Sequence, residues 1–286
     1  MLSAALLAAC LGTAHAADAP QQRFTDFTAY TVSQRQKRVG FNSLTYGLLE
    51  NVSVGTSPLL LIVGPNIRAK VTAVELERLA FSLEGGYYAP YDFWLSSLTD
   101  GASNIDLQVT PIAWRGSWQI SPKWSAHYGN TWTLGRVEGE LTGGQIVSLI
   151  EGVVGAEIDQ AIVDSLGVDT LYAGAQGNFT LAASNLAVVW QRKENAGFIF
   201  QSNNYLWASG IVAATAGTSD GESSAGVGVA AVFEQVLTTA PSAVSLSWQR
   251  SWDRLNLRLG IPLTAGNPFA FTQAFQLYWL LGPKAD

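Results

Sequence analysis

The stretch DLQVTPIAWRGSWQISPKWSAHYGNTWTL, Asp106 to Leu134, decides the fold. Before the turn Ser121-Pro122-Lys123, Ile112, Trp114, Trp118 and Ile120 share one parity and Arg115, Ser117 and Gln119 the other. After it, Trp124, Ala126, Tyr128, Trp132 and Leu134 lie on one face, with Ser125, His127, Gly129, Thr131 and Thr133 opposite. Alternation with period two means two strands, each with an apolar and a polar face. Tryptophan gathers at the ends of the apolar face, as a wall between hydrocarbon and water requires. From Trp124 to Trp132 is roughly 26 Å at about 3.3 Å per residue, close to the height of the apolar band between two aromatic girdles.

Composition points the same way. Of 286 residues only 13% are charged while 48% are apolar, against roughly 25% charged in soluble domains. Mean hydropathy is +0.17. No run approaches the roughly 18–20 apolar residues of a helical span; Tyr205 to Thr215 comes nearest and contains Gly210. An apolar chain without a spanning helix leaves a closed barrel, because open strands in lipid strand their backbone polar groups. The expectation is an all-β fold: a transmembrane antiparallel β-barrel of about twelve strands, ten to fourteen allowed. The competing soluble sandwich would have to bury nearly every apolar strand face behind a poorly charged surface.

Leu2 to Leu11 followed by Ala14-His15-Ala16 reads as a signal peptide over 1–16, without a basic leading region. Leu7-Ala8-Ala9-Cys10 offers a lipidation alternative. Cleavage after Ala16 removes the one cysteine, so disulfides and thiolate metal sites drop out. The net charge of −6 and a pI near 4.9 argue against a nucleic-acid partner.

Residues 17–37 form a polar N-terminal segment in which Phe24 to Val32 reads as a strand or a tether; the barrel is expected over 38–286. Strand-like pieces fall near 38–47, 50–57, 65–74, 78–88, 104–120, 122–136, 169–182, 185–193, 196–208, 225–237, 242–251, 254–263 and 270–281. That is an odd number, whereas bacterial barrels prefer even ones. The rhythm breaks at 143–168, where Ile146, Leu149, Ile150, Val153, Ile158, Ile162 and Leu166 recur at helical spacing with acidic residues between. A helical insertion there could cap the mouth, enter the lumen or lie on the membrane.

Leu44-Thr45-Tyr46-Gly47-Leu48-Leu49-Glu50-Asn51-Val52-Ser53-Val54-Gly55-Thr56 resembles the first hairpin of uncharacterised bacterial outer-membrane β-barrel proteins. The resemblance covers about 40 residues closely and implies location and fold, not an activity. Such proteins generally end in an aromatic residue read by the outer-membrane insertion machinery. This chain departs from that, with Trp279 followed by seven more residues.

Chemistry is sparse. His127 is the only histidine after position 16, with Ser125 and Thr131 on its face, so a His–Ser nucleophile is conceivable; a hydrogen-bonded structural histidine is the plainer account. One histidine and no cysteine do not make a transition-metal site. Asp220-Gly221-Glu222 supplies too few carboxylates for calcium. Gly226-x-Gly228-x-x-Ala231 lacks the βαβ context of a dinucleotide site. No cofactor and no metal are expected. The polar parity supplies lumen-lining candidates: Arg68, Lys70, Glu84, Arg115, Gln119, His127, Gln191, Glu234, Gln249 and Arg258. Trp114, Trp118, Trp124, Trp132, Trp190, Trp248 and Trp279 are candidates for the aromatic girdles. Inward charges of both signs either pair across a filled interior or line a water-filled pore. The leading expectation is a channel or passive transporter for small solutes, embedded in membrane lipid. A structural barrel with a filled lumen comes second, and a barrel enzyme acting on lipid third.

Overall fold

The computed structural model describes residues 27–91, 106–142, 172–193, 195–218, 221–223, 243–252, 254–264 and 275–282. The signal-like segment, the insertion expected at 143–168 and the strand expected at 225–237, with Glu234, lie outside the described residues. The first nine strands are β1 (Lys37–Gly40), β2 (Leu44–Leu49), β3 (Val52–Thr56), β4 (Asn66–Glu75), β5 (Leu79–Tyr88), β6 (Asp106–Ser121), β7 (Trp124–Thr142), β8 (Tyr172–Lys193) and β9 (Ala196–Thr218). A short β10 (Gly221–Ser223) pairs with the far end of β9. The last three are β11 (Ala243–Trp252), β12 (Leu255–Pro262) and β13 (Gln276–Leu281).

Without β10, twelve strands make one closed antiparallel ring: β9 pairs with both β8 and β11, and β13 returns to β1 with Trp279 opposite Val39. Closure satisfies the backbone without an edge, and it rules out the two-layer sandwich. The expected pieces regroup in two places. The piece at 38–47 is two strands, because the chain reverses at Phe41–Ser43. Those at 169–182 and 185–193 are one strand, since β7 and β9 ladder across the break expected at 183–184. Only a bulge, with the extra residue Leu206 on β9, marks the spot. The hairpin at 44–56 is β2 and β3, turning at Glu50-Asn51.

The ring has two unlike ends. Tight turns join β2 to β3, β4 to β5, β6 to β7, β8 to β9 and β11 to β12, and β1 starts and β13 finishes at this same end. All longer connections lie at the other end.

Outward side chains meet no protein layer. Ile67 is 61% exposed and Ile261 67%, and Leu83, Ile112, Leu134, Leu246 and Leu259 are likewise exposed. An apolar belt of this extent is a lipid-facing surface. Near the tight turns it ends in an aromatic row. Trp124 lies opposite Trp190, Trp190 opposite Phe198, and Phe198 opposite Trp248. The rings of Trp124 and Trp190 stack at 6.1 Å, and those of Trp190 and Phe198 at 5.7 Å. Trp118 and Trp279 face outward at this end as well, whereas Trp114 packs edge-on to Tyr128 and Trp132 sits opposite Ile112, further along the wall. Where β2 and β3 are only 6 and 5 residues long, helix α1 (Pro58–Leu61), capped by Ser57, adds exposed Leu59, Leu60 and Leu61 beyond the strand ends.

Candidate functional site

The opposite parity points every strand's polar side chains into the ring, and there they are buried rather than bathed. Arg38, Thr72, Ser82, Ser117, Ser125, His127, Ser247, Asn256 and Arg258 are each less than 5% exposed. A wide empty pore would leave them wet. Over Thr72, Ser117, His127 and Arg258 lies the chain's own Phe27–Val32, a segment that joins no strand ladder and is buried at all six positions.

Two walls hold this plug by different means. On one side most contacts are polar, beside a small cluster of Ala29 and Tyr30 on Ala80 of β5. Lys70 Nζ of β4 donates to the Thr28 carbonyl at 2.5 Å, and Thr72 Oγ1 donates to the Ala29 carbonyl at 2.9 Å. The Ala29 N–H donates to Ser117 Oγ of β6 at 2.7 Å. Ser117 Oγ in turn lies 2.8 Å from His127 Nδ1, and Ser125 Oγ lies 2.9 Å from Nε2. The assignment that satisfies every group has Ser117 donating to Nδ1 and the Nε2–H donating to Ser125. Thr31 Oγ1 donates to the Glu50 carbonyl in the β2–β3 turn.

On the other side the contacts are apolar. Phe27 clusters with Ala187 and Val189 of β8, Ile199 of β9 and Tyr278 of β13. Its ring meets His127 edge-on at 5.3 Å, and the Arg258 guanidinium lies 5.5 Å from its centre. Arg258 donates to Gln201 Oε1 at 2.9 Å, and Arg38 stacks over Tyr278 at 4.1 Å. A floor of alternating aromatic and guanidinium groups thus crosses the lumen. The plug leaves it past Gly47, which exchanges backbone hydrogen bonds with Arg35 and Gln36. A Cβ on Gly47 would sit 1.9 Å from the Ser33 carbonyl oxygen, so only glycine admits this close approach.

Beside the plug, a recess on the β2–β5 wall is lined by Thr45, Ser53, Val54, Gly55, Arg68, Lys70 and Glu84. Arg115 Nε donates to Glu84 Oε2 at 3.1 Å, with both side chains largely buried, and Arg68 donates to Ser43. On the facing wall, Ser245, Ser247, Gln249 and Asn256 are buried, and among the described residues their side-chain oxygens meet no hydrogen-bond partner.

Of the lumen candidates, Arg68, Lys70, Glu84 and Arg115 come together around the recess. His127 and Arg258 belong to the plug seat, Gln249 to the facing wall, and buried Gln191 to the tight-turn end near Lys123. Gln119 turns to the Ser121 carbonyl at its own strand end. The sequence reading missed Phe27, Thr28 and Ala29 as plug contacts, and Arg38, Thr72, Ser117 and Tyr278 as their seat. One signal was available: the run 27–32, shortly before the barrel, carries no charge. His127 and Ser125 are hydrogen-bonded as imagined, but among the described residues no carboxylate bonds the imidazole, and Phe27 lies against its ring. That is a latch geometry, not an activated nucleophile open to substrate.

No family model and no curated protein matches this chain. Among solved structures it is similar to a deltaS2 mutant of the TodX monoaromatic hydrocarbon channel at 12% identity and TM-score 0.39, over 88% of this chain and 68% of that one. The Pseudomonas putida toluene transporter TodX gives 12% and 0.37, over 88% and 67%. A FadL homologue from Pseudomonas aeruginosa gives 12% identity and TM-score 0.35, over 79% and 56%. Likeness at this level bears on none of the solutes or mechanisms those names carry.

Proposed function

We propose that the chain is an outer-membrane channel for small solutes, closed at rest by its own residues 27–32 and opened when they leave the lumen. The observation that carries this reading is the way the plug is held. It joins no strand ladder; side-chain hydrogen bonds and one aromatic anchor seat it, so it can leave without unpairing the ring. On the facing wall the buried side-chain oxygens of Ser245, Ser247, Gln249 and Asn256 have no partner among the described residues, and an opened lumen would offer them water or a polar solute. The inward charges near the plug are Arg38, Arg68, Lys70, Arg115 and Arg258 against Glu84 and Glu75, the last beside Tyr30, and the positive excess favours anions. By the general pattern of such barrels, tight turns face the periplasm. The N-terminal segment then enters from the periplasmic side, and β13 is the strand offered to the insertion machinery after export through a cleaved signal peptide.

A second reading, a structural barrel with a permanently filled lumen, is favoured by the complete burial of Ala29 and its neighbours. Planar-bilayer recordings separate the two. The expected result is rare or small steps from the intact barrel and frequent, larger, anion-preferring steps from a variant lacking residues 27–32. Silence from both, with heat-modifiable gel mobility showing that both are folded, would sink the channel.

A further inference from the structure

The tight-turn end carries exposed basic residues that neither the plug nor the lumen uses. Lys37 points outward on β1, level with Tyr46 and Leu281. Arg78 and Arg254 occupy the β4–β5 and β11–β12 turns, and Lys123 the β6–β7 turn. Arg192 lies at the end of β8, and Arg250 shares the outward parity of Trp248 and Trp252 on β11. All six are exposed, none forms a salt bridge among the described residues, and they outnumber the exposed carboxylates of the same turns, Glu50 and Glu77. Each lies beside an outward aromatic: Lys123 next to Trp124, Arg192 two residues past Trp190, Arg78 next to Leu79 opposite Trp118. The Arg250 guanidinium lies 5.0 Å from the Trp252 ring. The other end is the reverse. Connections 89–105, 143–171 and 224–242 contain two, five and one carboxylates and no Lys or Arg. The exposed Arg136 at that end is tied to Glu138.

We infer that this collar is a docking surface for anionic phospholipid headgroups in the leaflet at the tight-turn end. Indole rings settle at the level of the glycerol and carbonyl groups, and a cation just beyond them lies at phosphate depth. Basic groups scattered around the ring, rather than massed on one side, suit an annulus of lipids and not a single protein partner. The connections 89–105, 143–171 and 224–242 contribute no Lys or Arg by sequence, so the lipid preference belongs to the leaflet of the collar. The inference rests on the barrel spanning a bilayer and is independent of whether the lumen conducts.

The test uses the full chain folded into phosphatidylcholine vesicles, with quenching of tryptophan fluorescence by brominated phosphatidylglycerol compared with brominated phosphatidylcholine at equal mole fraction. The wild type is expected to prefer phosphatidylglycerol by about tenfold at low salt, given roughly a factor of five per basic contact at an anionic surface. High salt should erase the preference. A variant with all six collar residues, Lys37, Arg78, Lys123, Arg192, Arg250 and Arg254, changed to Gln should lose most of it while keeping heat-modifiable mobility. Arg136→Gln should leave it intact. Equal quenching by the two lipids in the wild type, or a preference that survives the sixfold substitution or vanishes with Arg136→Gln, would overturn the inference.

Discussion

The two walls around the plug are built on different physics. The β4–β6 wall meets residues 28 and 29 through Lys70, Thr72 and Ser117, each contact directional and each worth about 1 kcal/mol net, more for the charged donor. The β8, β9 and β13 wall meets Phe27 through Ala187, Val189, Ile199 and Tyr278, where attraction scales with buried area and little depends on angle. The polar wall therefore sets the plug's register, and the apolar wall supplies most of its retention. A plug held only by packing could slide; one held only by hydrogen bonds would exchange readily with water. Together they make a stopper that is specific in place yet removable.

The comparison breaks most completely where both walls lose the plug at once. Gly47→Val puts methyl groups into the Ser33 carbonyl, so residues 27–33 cannot pass along β2 as they do now. The expected outcome is a folded barrel with high conductance, checked in planar bilayers alongside heat-modifiable mobility. Unchanged closure in a folded Gly47→Val barrel would refute the exit path. Phe27→Ala comes next. Phe27 is 3% exposed, and truncating a buried phenylalanine costs about 3–5 kcal/mol. The plug should open at least a hundredfold more often, seen as modification of an Ala29→Cys reporter by an aqueous thiol reagent. A change below tenfold would mean the apolar wall is not the main anchor.

The barrel was legible because its signal repeats. Trp114, Ile112 and Trp132 on one parity and Arg115, Ser117 and His127 on the other settle the facing of β6 and β7, and the β11–β12 leucines repeat it. The inward face of Arg68, Lys70 and Glu84 was readable for the same reason. The plug was not, because a strand-like run such as Thr28-Ala29-Tyr30-Thr31-Val32 has no period that distinguishes a ladder from a segment lying across a lumen. Its partners are also remote in sequence: Ala29 meets Ser117 across 88 positions, and no local pattern encodes that contact. Counting strands failed locally for a related reason. Ser184-Asn185 carries turn chemistry, yet partners on both sides hold it extended.

On the polar wall the effects are smaller. Ser117→Ala removes the acceptor for the Ala29 N–H and the donor to His127 Nδ1, leaving one buried backbone N–H unsatisfied at a cost of about 1–3 kcal/mol. The Ala29→Cys reporter should react about tenfold faster than in the parent. Ser125→Ala breaks only the outer half of the relay, so it should change the rate less. Equal effects from the two would show that His127, rather than the direct bond to Ala29, governs the register.

The smallest expected effect lies in the recess, at Glu84. Its carboxylate is held by Arg115 and faces Arg68 and Lys70 across the recess lining. Removing one partner of a largely buried pair leaves the other charge uncompensated, so Glu84→Gln raises the positive potential of the lumen without touching the plug's own hydrogen bonds. In a barrel opened by Gly47→Val, the reversal potential under a salt gradient should shift further toward that of chloride, by a few millivolts on the order expected for one charge in a polar pore. Arg115→Gln should move it the opposite way. Reporter reactivity at position 29 should stay as it is in both, because Lys70, not Glu84, bonds the Thr28 carbonyl. Shifts of the same sign from the two substitutions would mean that the permeating ion does not pass this recess, and the polar wall would then serve the plug alone.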